Sequence, residues 1–133
     1  MTGMEKLIWT EFLVALGSAL LVALLYPWLT DGAGGGFGPL ALMVLGPYFI
    51  RRKGAIADER DQKIERDARL FGFGAAWMVL VFSLFGITQW ANYHHAPVSI
   101  RLLNWLIWIS FAVCYLVKGL AGIIAYRRQS HAA

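Results

Sequence analysis

The sequence has few charged residues and a single cysteine, and both scarcities limit what the protein can be. Only 15% of the 133 residues are charged and 59% are hydrophobic, whereas a soluble domain usually has about 25% charged residues. A soluble protein of this composition could not cover its surface with polar groups, so we expect a membrane protein. Cys114 lies in an apolar stretch, and as the only cysteine it excludes an internal disulfide.

Motifs of a known chemistry are also missing. The sequence contains no HExxH, CxxC or GxSxG pattern, and the glycines at 34–36 lack the lysine that follows in a phosphate-binding loop. His94 and His95 are adjacent, but Asp31 is the only carboxylate in the same predicted loops, which argues against a metal site. We therefore expect no enzymatic activity, no catalytic residue, no metal and no cofactor.

Four apolar segments predict four transmembrane helices in one domain, with a helix of about 20 apolar residues needed for each crossing. The second segment is the shortest. It either re-enters the membrane or spans it with the help of snorkelling by Arg51 and Arg52. The fold class is therefore predicted as all-α, a four-helix transmembrane bundle of two hairpins. The predicted spans are residues 7–29, 34–50, 70–93 and 102–126.

The placement of basic residues predicts the orientation of these helices. Seven of the twelve Lys and Arg residues lie in the segment 51–69, Lys6 precedes the first span, and Arg127 and Arg128 follow the last. Cytoplasmic loops carry the excess of basic residues, so both termini and the segment 51–69 are predicted to be cytoplasmic, in a multi-pass protein of the bacterial inner membrane. This topology requires the segment 34–50 to cross. It also explains the net charge of +4 without nucleic acid.

A charged helix is predicted to begin at about Asp58 and to continue through the third span to about Tyr93. Asp58 is a favourable N-cap residue, and acidic residues follow it in the first turn, where the helix dipole favours them. Glu65 and Arg69 are spaced i,i+4, which suits a surface ion pair. The first three turns of this helix are expected to extend into the cytoplasm.

The same helix carries a narrow apolar stripe, Ile64, Ala68 and Phe71, at positions i, i+4 and i+7. Such a stripe commonly packs on a partner helix, although here it has the protein's own segment 51–57 as an alternative. If it packs on neither, the charged turns serve only to orient the protein. The candidate partner-docking residues are Asp58, Glu59, Arg60, Asp61, Ile64, Ala68 and Phe71.

This stretch resembles a group of small uncharacterised bacterial inner-membrane proteins with four helices. Their loop between the second and third helices reads roughly D-E-R-[DE]-x-x-I-x-x-x-A. The group has no assigned activity, so the resemblance implies a topology and a specific loop, and it implies no catalytic residues. The matching residues here are Asp58, Glu59, Arg60, Asp61, Ile64 and Ala68.

Glu11 and Lys118 are the charged residues inside the predicted spans. A charge at the bilayer centre costs about 2.5–3.5 kcal/mol and usually faces the bundle interior or a partner. Small residues at helix surfaces allow close helix approach, so we predict that Glu11 and Lys118 form an intramembrane charge pair, with snorkelling to the headgroups as the alternative. Each belongs to a row of small residues spaced by four: Ala15, Ala19 and Ala23 follow Glu11, and Ser110, Cys114 and Gly122 flank Lys118.

Three functions remain open. The first is a non-enzymatic regulator or interaction protein that docks a membrane or cytoplasmic protein through the 58–69 helix. The second is a small proton-coupled transporter that uses Glu11 and Lys118, although small multidrug exporters have shorter loops and less charge bias. The third is an accessory subunit of a membrane complex. The lipid bilayer is the expected partner in each case, a homo-oligomer is open, and nucleic acid is not expected.

Overall fold

The protein is all-α in the computed structural model, which describes residues 3–43, 45 and 58–132. Within those residues no strand occurs, and the predicted fold class is confirmed at this level. A 3₁₀ helix connects the first two α-helices, and a short loop at 95–99 connects the last two. The elements are α1 (Gly3–Leu29), the 3₁₀ helix (Thr30–Phe37), α2 (Gly38–Met43), α3 (Glu59–His94) and α4 (Ile100–Ala132).

Among the described residues, three helices are long and apolar enough to cross a membrane: α1, α3 and α4. They contain the predicted spans 7–29, 70–93 and 102–126, which supports a multi-pass membrane protein. The second predicted span begins in the 3₁₀ helix and α2, while most of its second half, and the segment 51–57, lie outside the described residues.

Helix α3 starts and ends as local chemistry dictates. Asp58 is its N-cap, with an extended backbone and a side chain that accepts a hydrogen bond from the amide of Glu59 at 2.7 Å. The helix then continues without a break to His94, which confirms the prediction of one long helix from about Asp58 to about Tyr93. His95 closes it in the left-handed conformation (φ 50°), a common way to end a helix.

The glycine-rich segment after α1 forms the 3₁₀ helix. A Cβ atom at Gly36 would lie 2.8 Å from Cγ2 of Val22, so glycine is needed for this segment to approach α1. Phe37 follows, is buried, and stacks on Trp108 of α4 with ring centroids 6.2 Å apart. The segment therefore packs its end against both helices.

Helix α4 is central to the described bundle, because α1 and α3 both pack on it. One apolar cluster joins α1, the 3₁₀ helix, α2 and α4, and a second joins α1, α3 and α4 near the charged ends of the helices. The first contains Ala15, Val22, Phe37, Leu40, Ala112 and Tyr115, and the second contains Ile8, Ile64 and Ile123.

The first turns of α3 are not free-standing. The hydroxyl of Tyr126 on α4 donates a hydrogen bond to Oδ1 of Asp61 at 2.8 Å, and α4 continues beyond this contact to Ala132. These charged turns are predicted to extend into the cytoplasm, and the last turns of α4 flank them. The reason is that α4 remains helical past its own apolar segment.

Candidate functional site

Glu11 lies on the inner face of α1 because of its position in the helical repeat. The buried residues of α1 are spaced by three and four, which places them along one face. Glu11 is 0% exposed there, between apolar neighbours. The buried set is Ile8, Glu11, Ala15, Ser18 and Val22.

The structure brings Glu11 and Lys118 together. Nζ of Lys118 lies 2.6 Å from Oε2 of Glu11, and both side chains are buried. Neither carboxylate oxygen of Glu11 has a hydrogen bond of regular geometry to the described part of the chain. A buried charge is tolerated only when it is paired, so the ammonium group of Lys118 is what compensates the carboxylate of Glu11.

Two further residues of α3 complete this site, and their position in a charge-rich segment gives no sign of it. Oε1 of Glu65 lies 3.6 Å from Nζ of Lys118. Nη2 of Arg69 donates to both carboxylate oxygens of Glu65 at 2.5 and 2.6 Å. These hydrogen bonds raise the pKa of Arg69 above its usual value. Glu11, Glu65, Arg69 and Lys118 together form what we call the charge cluster, in which two carboxylates meet two cations.

The spacing of Glu65 and Arg69 did indicate an ion pair, but on a solvated surface. Glu65 is in fact buried, while the side chain of Arg69 is more than half exposed. The pair therefore connects the interior of the bundle to its surface. The i,i+4 spacing alone does not reveal that Glu65 is buried. It fixes which two residues of the helix meet, and it leaves open which side of the helix faces α4.

Close approach of the helices is what allows these side chains to meet. A Cβ atom at Gly72 of α3 would lie 2.5 Å from the carbonyl oxygen of Cys114 and 2.7 Å from Cβ of Lys118. On the other side, a Cβ atom at Gly119 would lie 2.7 Å from Cβ of Phe12. These glycines border Lys118 where it meets α3 and α1, as small residues do at helix contacts in membranes.

The predicted rows of small residues are correct only in part. Glu11 and Ala15 lie in the α1 interface, but Ala19 is half-buried and Ala23 is exposed. A row spaced by four turns about 40° around the helix at each step, since an α-helix has 3.6 residues per turn. The interface instead alternates steps of three and four. On α4 the row holds better: Ser110, Lys118 and Gly122 are buried, and Cys114 is half-buried.

The candidate docking residues fall into two groups. Ile64 is 7% exposed and packs with Ile8 and Ile123, and Ala68 is 2% exposed. Asp61 is also buried, by its contact with Tyr126. Two residues of the apolar stripe therefore contact this protein's own helices, whereas the third, Phe71, is 68% exposed. The exposed candidates are Asp58, Glu59, Arg60 and Phe71.

The opposite end of α3 carries the two adjacent histidines. Nδ1 of His94 lies 3.0 Å from the carbonyl oxygen of Trp90, and its ring stacks on that of Trp90. His94 and His95 are both exposed. Within the described ranges no group of three or more His, Cys, Asp or Glu side chains is placed to hold a metal ion.

Comparison with known proteins places these features in a family. A family model described as "Predicted membrane protein (DUF2178)" matches residues 5–129, which include the whole charge cluster. No curated protein and no solved structure shows significant similarity to the chain. Both this family and the group that the 58–68 loop resembles consist of membrane proteins. The loop motif and the bacterial origin stay predictions. With most of α1, α3 and α4 inside the match, the chain belongs to the DUF2178 family of predicted membrane proteins.

Proposed function

We propose that this protein is a non-enzymatic interaction protein of the bacterial inner membrane, which docks a protein partner through the charged N-terminal turns of α3. The family description and the three long apolar helices support the membrane location. The excess of basic residues in the segment 51–69 supports a cytoplasmic position for these turns and for both termini.

The observation that carries this proposal is that α3 is held on one face and exposed on the other. Asp61 and Glu65 attach the inner face to α4 through Tyr126 and Lys118. A helix that served only to orient the protein would need basic residues but no buried acidic ones. The anchoring instead fixes the outer face of the helix relative to the bundle.

That outer face is charged and exposed, and its residues Glu59, Lys63 and Arg66 follow at i, i+4 and i+7. A face that is already rigid loses little conformational entropy when a partner binds, which favours affinity. Charges of both signs on this face suit recognition by complementary charges, which contribute specificity more than affinity. The partner expected on this surface is a protein with an amphipathic or charged helix of its own.

The transporter alternative depends on Glu11 and Lys118, and we assign these residues a structural role instead. Glu11 is fully enclosed, and its charge is compensated by Lys118 at 2.6 Å. An accessory-subunit role is compatible with the docking proposal. Trp77, Phe82 and Phe85 of α3 expose large apolar side chains that lipid or a neighbouring membrane helix can cover.

Photo-crosslinking in native membranes tests the docking proposal. A crosslinking amino acid at Glu59 should capture a discrete protein, and the same amino acid at the exposed Tyr93, at the other end of α3, should not. Charge reversal at Arg66 (Arg66→Glu) should abolish the capture from position 59 without changing membrane insertion. Ile64 is unsuitable for this test, because it is buried and its substitution would disturb the bundle.

The proposal fails if position 59 captures nothing that position 93 does not also capture. It also fails if Arg66→Glu leaves the captured protein and its yield unchanged, because the charged outer face would then play no part in recognition.

A further inference from the structure

A groove of about 550 Å³ lies between α3 and α4, at the ends that carry the charged residues. It opens on the α4 side of α3. It includes the exposed docking candidates Arg60 and Phe71, but of the outer face it includes Lys63 and leaves out Glu59 and Arg66, so a ligand in the groove leaves those two residues accessible. The groove has a basic border at one end and an apolar floor, and the floor continues from the border along the helix axis.

The border of the groove is basic. Arg60 and Lys63 of α3 and Arg128 of α4 line it, against a single carboxylate from Asp67. The border therefore carries a net positive charge. It is complementary to an anion, and guanidinium groups suit the oxygens of a phosphate in particular.

The floor of the groove is apolar and continues away from this border. Phe71 and Ile124 line it and are exposed. Phe71 lies eleven residues from Arg60, about 16 Å along the helix at 1.5 Å per residue. The groove thus leads from a basic end to a hydrocarbon-like surface within the dimensions of one lipid molecule.

The register of α3 against α4 produces this arrangement. The hydrogen bond between Asp61 and Tyr126 places Arg60 and Arg128 at the same end of the groove. Gly72, in contact with α4 beside Lys118, keeps the two helices close at the other end. The groove therefore has Arg60 and Arg128 at one end and Phe71 toward the other, so headgroup chemistry and acyl-chain chemistry meet in one groove.

We propose that this groove binds one anionic phospholipid from the leaflet on that side of the membrane. Its phosphate contacts Arg60, Lys63 and Arg128, and one acyl chain lies over Phe71 and Ile124. Basic pockets between transmembrane helices recognise anionic headgroups through this combination of charge and apolar contact.

Native mass spectrometry of the purified full-length protein tests the proposal, by titration with phosphatidylglycerol and with phosphatidylcholine of identical acyl chains. The protein should retain one phosphatidylglycerol in preference to phosphatidylcholine. The double variant Arg60→Gln/Arg128→Gln should weaken phosphatidylglycerol binding about 30-fold, which is about 2 kcal/mol at 1.4 kcal/mol per tenfold.

The matched control is Arg66→Gln/Arg127→Gln, which removes the same charge from neighbouring positions that do not line the groove. All four arginines are exposed, so both double variants should remain folded, as a thermal melt in detergent checks. The control should bind phosphatidylglycerol as the parent does.

Four results overturn the proposal. Equal loss of binding in both double variants would show general attraction to a basic surface. If the protein retained inorganic phosphate in place of the lipid, and the Arg60→Gln/Arg128→Gln variant lost it, the groove would be an anion site to which the acyl chain contributes nothing. Lack of any preference for phosphatidylglycerol in the parent, or a second copy of the chain crosslinked through Phe71, would show that no anionic lipid belongs there.

Discussion

Lys118 is the residue of the charge cluster whose loss we expect to destabilise the protein most. Its ammonium group lies 2.6 Å from Glu11 and 3.6 Å from Glu65. Glu65 keeps Arg69 as a partner when Lys118 is removed, but Glu11 forms no other ion pair with the described residues. Lys118→Met should therefore cost about 3–5 kcal/mol, as expected when one partner of a buried pair is lost.

Substitution of the other partner, Glu11, should destabilise the protein less. Glu11→Gln keeps a carbonyl oxygen near Lys118, and the ammonium group retains Glu65 at 3.6 Å. We expect a cost of about 1–2 kcal/mol, close to that of a weakened hydrogen bond to a charged group. The double variant leaves no unpaired charge at these two positions, so it should be more stable than the sum of the single effects predicts, by at least about 1 kcal/mol.

Unfolding by sodium dodecyl sulfate in mixed micelles, followed through the fluorescence of the six tryptophans, measures these differences. Lys6→Met is the matched control, because Lys6 is an exposed lysine at the start of α1 and should change stability little. The expected difference between the costs of the two single variants exceeds the average of about 0.6 kcal/mol for a hydrogen-bonded pair in a membrane protein. It is therefore large enough to resolve. Equal costs for Glu11→Gln and Lys118→Met, or additive costs in the double variant, would refute the reasoning.

Two further predictions concern helix packing and topology. Gly72→Ala should destabilise the protein by about 1–3 kcal/mol, because its Cβ would meet the backbone of α4, whereas Gly74→Ala, with open space around it, should not; thermal melts of the two variants compare them directly. A reporter active only in the cytoplasm should give a signal when fused after Gly54 and none when fused after Gly35, and a signal at Gly35 would contradict four crossings.

The long helices could be predicted from the sequence because their signals are local. Hydropathy over about 20 residues identifies a span, and the N-cap at Asp58 defined the start of α3. The glycine-rich segment after α1 gave a weaker signal, because glycine is compatible with turns and with 3₁₀ geometry alike. Its conformation depends on the contact of Gly36 and Phe37 with other helices, which no local pattern encodes.

The charge cluster could be predicted only in part. Glu11 and Lys118 stood out because an isolated charge in an apolar segment usually faces the bundle interior or a partner. Glu65 did not, since it lies in a segment full of charged residues and nothing in its spacing distinguishes it from Glu59. What separates them is the rotation of α3 about its axis, which is fixed by Gly72 and Ile64 against the other helices.

The charge cluster also has a consequence for biosynthesis. Glu11 enters the membrane with α1, whereas Lys118 is carried by α4, so among the described residues the carboxylate has no ion-pair partner until α4 is made. A nascent chain that stalls before α4 exposes an uncompensated acidic group on α1, together with the buried face of Ile8 and Ala15. Insertion of α4 removes both features at once. Neutralisation of the acidic group on α1 thereby depends on the insertion of α4.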